Sequence, residues 1–293
     1  MLPSRYEHFH WAAAVMVSRN PELGAFLRAR RARIRPQDVG LSPSDRRRVP
    51  GLRREELAQL AGVSLDYYAR LEQGRQPTAS PAVLGAVARV LQLSADERSH
   101  LHTLAGLSDR ERLENNSSSG EAIDPRTQRV FDLLDGTPAI VCGRYVDIIA
   151  ANDAACFLFG TDFKTLPPTD RNSVQWFLRS PLARELYGEE WENAVAEMIG
   201  MLRLDAGRQP DTPRLREIVG RLERESSLFR RLWQEHQVSR WLHDRKTLNH
   251  PSLGPAEFVN EAITVQGVPE QTIYVMVPSA EAEFRRALQE SLL

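Results

Sequence analysis

Between Arg53 and Arg75 the chain allows essentially one local geometry: two short helices with a tight corner between them. Glu55 to Ala61 are good helix formers, and Leu57, Leu60 and Ala61 fall on one face. Gly62 follows at once, where a helix end favours a residue free to take positive φ. Ser64 is then a natural N-cap for a second helix, in which Tyr68 and Leu71 point inward and which Gly74 ends. Two helices locked across such a turn form a helix-turn-helix, whose second helix lies in the DNA major groove. The same pattern also describes a plain αα-hairpin, so the surroundings must decide.

Those surroundings favour DNA. A helix is expected from Glu22 to Ile34, with Leu23, Phe26, Leu27 and Ile34 on one side. A polar loop follows from Arg35 to Pro50 and carries Arg46-Arg47-Arg48, either a solvated run or a phosphate contact. Ser80-Pro81 caps a helix with the stripe Val83, Leu84, Val87, Val90 and Leu91. Ser94 to Glu97 is a capping box before Leu101 and Leu104. Five helices by about residue 105 can close one small all-α core. Residues 1–120 carry 18 basic and 13 acidic side chains, residues 121–293 carry 20 and 26, and the net charge of −1 hides this split. A basic half joined to an acidic half suggests that only the first meets a polyanion.

In a helix-turn-helix the start and outward face of the second helix reach base edges. Here these are Leu65, Asp66, Tyr67 and Arg70. The Arg70 fork matches the guanine acceptor pair, a contact worth about 1–3 kcal/mol of discrimination. Leu65 could touch a thymine methyl and Tyr67 a base or phosphate. Asp66 could accept from cytosine or simply favour the helix dipole. Arg53 and Arg54 open the first motif helix, where phosphate is commonly clamped, and Arg75 and Thr78 follow the second.

The run from Leu23 to Gly106 resembles regulators of the phage-repressor/Cro, or xenobiotic-response-element, type. Pro50-Gly51-Leu52-Arg53-Arg54-Glu55-Glu56-Leu57-Ala58, followed by the run from Val63 to Arg75, is similar in particular to the MmyB-like regulators of actinobacteria and related bacteria. The resemblance implies DNA contacts by Arg54, Ser64, Leu65, Asp66, Tyr67 and Arg70.

Gly106 to Asp124 reads as a linker, with the turn-rich Asn115 to Gly120 at its centre. Beyond it, Arg126 to Leu134 looks helical. Pro138 to Val141 and Tyr145 to Ala150 form a hairpin candidate around Gly143-Arg144. Helices are expected at 152–159, 172–179, 189–206, 211–223 and 226–236. Phe258 to Val265 and Thr272 to Val277 read as strands around Gly267-Val268-Pro269, before a last helix over 280–291. Strand pair, helices and strand pair suggest an α+β domain with one antiparallel sheet.

No catalytic constellation, phosphate loop or metal spacing stands out in this half. Cys142 and Cys156 are expected as reduced thiols, and His236, His243 and His250 are scattered. Phe157, Trp176, Phe177, Met198, Met201, Phe229 and Trp233 are bulky and helically spaced. They are either core or, together with His236, the lining of an apolar ligand cavity. Ile148-Ile149-Ala150-Ala151-Asn152, Arg171-Asn172 and Phe229 to Val238 resemble the MmyB-like ligand-binding domain. That resemblance implies a PAS-like sheet with helices and a fatty-acid-like ligand, with Ala151 standing where the family often has Trp. Asn152, Arg171 and His236 are then expected to tie loops to the sheet.

The expectation is a multidomain chain: an N-terminal extension (1–20), an all-α five-helix helix-turn-helix DNA-binding domain (21–106), a linker (107–124) and an α+β PAS-like ligand-binding and dimerisation domain (125–293). It is expected to act as a homodimer on an inverted-repeat operator in duplex DNA, at the cytoplasmic nucleoid, sensing a small apolar ligand such as a fatty acid. No cofactor and no enzymatic step are expected. No apolar run approaches the ~18 residues that a membrane span needs. Met16 is an alternative start. The rival readings are a second domain that only dimerises or binds a protein partner, an enzyme with a DNA-binding head, and an adaptor for a partner such as a sigma factor.

Overall fold

The computed structural model describes residues 20–41, 51–76, 79–106, 122–208, 212–239, 245–268 and 270–291. The Met16 start, the Arg46-Arg47-Arg48 run, Thr78, His243, Pro269 and most of the expected linker lie outside the described residues.

The first half is built from α1 (Pro21–Arg33), α2 (Arg54–Ala61), α3 (Leu65–Glu72), α4 (Pro81–Val90) and α5 (Ala95–Leu104). Local chemistry sets their ends. Asn20 Oδ1 accepts from Leu23 N at 3.0 Å, and Ser64, Ser80 and Ser94 each cap the helix that follows. Gly62 takes φ 68° at the corner between α2 and α3, the left-handed conformation that a side chain resists. Leu23, Phe26, Leu57, Tyr68, Leu71, Leu84 and Leu101 close the core. Leu60, expected on the inward face of α2, is 39% exposed. The loop after α1 contains a 3-10 turn at Pro36–Val39.

The second half holds α6 (Pro125–Phe131), β1 (Ala139–Cys142), β2 (Ile148–Ala151), α7 (Asp153–Phe159), α8 (Ser173–Arg179), α9 (Pro181–Tyr187), α10 (Trp191–Arg208), α11 (Pro213–Glu225), α12 (Ser227–Gln234), β3 (Arg245–His250), β4 (Gly254–Thr264), β5 (Thr272–Pro278) and α13 (Glu281–Ser291). Among the described residues the strands form one antiparallel sheet in the order β2-β1-β5-β4-β3. Strand alternation gives it two apolar faces. Ala139, Val141, Ile273 and Val275 pack with Phe131 on the α6 side. Ile148, Phe258 and Met276 face the large core under the remaining helices.

One expectation needs adjustment. The hairpin candidate forms, with β1 antiparallel to β2, but its second strand starts at Ile148 rather than Tyr145, after a longer connection. That connection runs through Tyr145 and Val146, both left-handed at φ 57° and 55°. A β-branched residue there is an outlier and costs of order 1–3 kcal/mol. The surroundings hold the loop in place: Asn172 Nδ2 donates to Tyr145 O and to Asp147 Oδ1, each at 2.8 Å. Tyr145 N donates to Asp205 Oδ2 at 3.0 Å, and Arg214 forks onto Asp147 with two 2.8 Å bonds. Helix α9 and edge strand β3 were not expected from the sequence. Asn152 and Arg171 do tie loops down. Asn152 Oδ1 accepts from Ala139 N and Ala155 N, while its Nδ2 donates to Leu134 O and Thr137 O. Arg171 donates to Leu166 O and Lys164 O.

The two halves touch where α5 meets α10. Arg30 of α1, 3% exposed, donates to His236 O and pairs with Glu97 at 2.8 Å. A Cβ on Gly207 would sit 2.5 Å from the His100 ring, so the helices approach as closely as glycine permits.

Candidate nucleic-acid interface and ligand cavity

Ser64 Oγ accepts from Tyr67 N at 3.2 Å and fixes the start of α3. Leu65 is 48% exposed with no core partner to explain it. Asp66 and Arg70, one helical turn apart, pair at 3.1 Å with both side chains well exposed. Such a surface pair is worth about 0–1 kcal/mol, so Arg70 can exchange Asp66 for a base at small cost. Tyr67 is half-buried, and Arg75 is exposed just past α3.

The arginines on the α2 side behave differently. Arg53 caps α2 through its backbone, donating N–H to Glu56 Oε2 at 2.8 Å. Its guanidinium rests 3.5 Å from Glu55. Arg54 Nε donates to Glu72 Oε1 at 2.9 Å. Glu72 is fully buried at the end of α3, and Arg31 grips it with a fork of 2.7 and 2.9 Å. Burial alone would push the Glu72 carboxyl up, but the hydrogen bonds and charges of Arg31 and Arg54 hold it below the usual carboxylate range. Sequence reasoning missed this hub. The signal was present: Glu72 falls on the inward face beside Tyr68 and Leu71, where a carboxylate must find cations.

In the second half an apolar cavity lies between the sheet and the helices, with a volume of about 40 Å³. Of the expected lining, Trp176 and Phe177 of α8 and Met198 and Met201 of α10 border it. The other four stand elsewhere. Phe157 packs on His250 and Phe284, Phe229 stacks on Trp233, and Trp233 and His236 belong to the junction with the DNA-binding half. An amphipathic helix shows which side faces inward, not which space that side borders, so helical spacing alone does not place these four at this cavity. The strands supply lining that helical spacing could not reveal, notably Ile140, Ile148, Tyr274 and Met276. Polar groups mark one end. Cys142 Sγ lies 3.7 Å from Ser173 Oγ, and burial pushes the Cys142 thiol up to about 12. Burial also holds the Tyr274 hydroxyl well above its ordinary pKa. Both cysteines are free thiols.

A helix-turn-helix on a closed all-α core, followed by a sheet domain with an apolar cavity, defines a DNA-binding transcription regulator with a ligand-binding domain. The family model described as the MmyB-like transcription regulator ligand binding domain matches residues 123–292, more than half of the sequence, and a helix-turn-helix domain model matches residues 22–101. The chain belongs to the MmyB-like transcription regulators. No curated protein matches it. Among the described residues no helix is long and apolar enough to cross a membrane.

Proposed function

We propose that the protein is a ligand-responsive regulator that binds an inverted repeat as a homodimer through α3. Its two recognition helices would stand one DNA turn apart, about 34 Å. Arg70, Leu65, Asp66 and Tyr67 reach base edges. Arg53, Arg54, Ser64 and Arg75 bind backbone phosphate. The C-terminal domain, PAS-like in its sheet with covering helices, senses a small apolar molecule in the cavity between β1, β2, β5, α8 and α10 and supplies dimer contacts. No catalytic role is proposed.

One observation carries the sensing role: α10 borders the apolar cavity through Met198 and Met201 and meets the DNA-binding half through Arg203, Ala206 and Gly207. A ligand that favours one position of α10 would bias the placement of the DNA-binding half. The cavity volume of about 40 Å³ matches only about three waters, each needing about 10–15 Å³. A fatty-acid-like ligand therefore requires Met198, Met201 and Met276 to swing aside, which their flexible side chains permit. The narrowness also favours one rival, in which the domain only dimerises or binds a protein partner. Native mass spectrometry and lipid extraction of the purified chain separate the two. A co-purifying apolar molecule is expected, and an empty protein that ignores fatty acids would defeat the sensing role.

A further inference from the structure

A second chamber, of about 300 Å³, opens where the two halves meet. Helices α1 and α5 form one wall, with Glu22 and His100. Helices α10 and α11 form the other, with Arg203, Leu215 and Val219, and the Trp233 indole adds to it. It shares no lining residue with the apolar cavity.

Its depth is polar and unsatisfied. Arg203 is 3% exposed. Its guanidinium lies 3.8 Å over the Trp233 ring, with one terminal nitrogen 3.0 Å from His236 Nδ1 and the other donating to Trp233 O. Its Nε has no hydrogen-bond partner. The anion that acts on its charge is Glu22, at the rim of the same chamber, so the guanidinium is only partly compensated. His100, across the chamber and also 3% exposed, has an Nδ1 with no hydrogen-bond partner. Burial, with the Arg203 and Arg30 charges, pushes its pKa down to about 3, so the ring is neutral and offers one donor and one acceptor. Glu22, Arg216 and Glu223 stand exposed at the rim. Two rim carboxylates disfavour a second negative charge on any occupant, while Leu215, Val219 and Trp233 offer an apolar surface.

We propose that this chamber is a second ligand site that takes a small monocarboxylic acid with an apolar body. Arg203 Nε is sealed from solvent in the free protein, so binding turns the guanidinium toward the carboxylate, which then accepts from Nε while the body rests on Leu215, Val219 and Trp233. Because His100 and Arg203 belong to different halves, the ligand bridges them and favours the docked arrangement.

Calorimetric titration of the full chain with sodium benzoate tests this, with benzamide and phthalate as controls. Benzamide lacks the charge and phthalate carries a second one. Benzoate is expected to bind saturably and at least about 10-fold more tightly than either. Val219→Trp, from a half-buried position on α11, fills the chamber and is expected to weaken benzoate by about 10-fold or more. Glu223→Lys, at the exposed rim, leaves the fold untouched and is expected to strengthen benzoate and admit phthalate. The proposal is overturned if benzoate fails to bind at tens of millimolar or if benzamide binds equally well. It is also overturned if Glu223→Lys changes nothing, or if a folded Val219→Trp binds benzoate as before.

Discussion

Met201 and Arg203 stand two residues apart on α10 and border different chambers: Met201 the apolar cavity, Arg203 the cleft against the DNA-binding half. At 3.6 residues per turn, two residues turn the helix by about 200°, so the two side chains leave it on nearly opposite sides. One rigid element thus separates the proposed sensing site from the interface it must influence.

Filling the cavity should therefore block sensing without touching α3. Met201→Phe adds bulk to a space of about 40 Å³, and overpacking of this kind costs about 1–3 kcal/mol. Dodecanoate at about 100 times its Kd should stabilise the unaltered chain by about 2.7 kcal/mol and Met201→Phe by far less. Thermal unfolding with and without dodecanoate measures the difference.

Glu72 should matter more for the fold than for DNA. Glu72→Gln leaves Arg31 and Arg54 without their shared carboxylate, and breaking a buried pair costs about 3–5 kcal/mol. The folded carboxyl titrates below its unfolded range, so its stabilisation is complete above about pH 4.3 and is lost as the pH falls through the folded pKa. Urea unfolding at pH 7 should show the full loss in Glu72→Gln. The two proteins should converge only as the pH falls below the folded Glu72 pKa.

Acid should loosen the junction at milder pH. Burial, with the neighbouring arginines, pushes His100 down to about 3 and His236 down to about 4. Both stay neutral when folded, whereas in the unfolded chain they gain a proton below about pH 6.5. The folded state thus loses stability as the pH falls from about 6.5 toward those values, by up to about 2 kcal/mol for His100 at pH 5. Unfolding from pH 7 to 5 should show this slope, and His100→Gln should flatten it.

The elements written in local chemistry were legible in the sequence. Ser64, Gly62 and Ser94 mark helix ends within three or four residues of the groups they satisfy, and α1 to α5 follow from them. What joins distant segments was not legible. Glu72 is held from 18 and 41 residues away, and no spacing encodes that. Strand β3 (Arg245-Lys-Thr-Leu-Asn-His) buries only Leu248 and His250 and lacks an apolar β-branched run. Nothing in Tyr145 and Val146 signals a left-handed turn, because neighbouring elements impose it.

Arg54 should behave as a phosphate contact that also braces the fold. Arg54→Ala leaves the Arg31 fork on Glu72 intact, so the protein should still fold. Binding should weaken alike on all DNA sequences, and the logarithmic salt slope should fall by about 1. Fluorescence anisotropy at several salt concentrations separates this from a loss of specificity.

The most direct measurement is selection of bound duplexes from a random pool by the full chain and by Arg70→Ala. The unaltered protein should enrich an inverted repeat with half-sites about one turn apart, and Arg70→Ala should lose preference at one position in each half-site while still binding DNA. If the unaltered chain enriches no sequence, or Arg70→Ala enriches the same one with equal strength, α3 is not the reader proposed here.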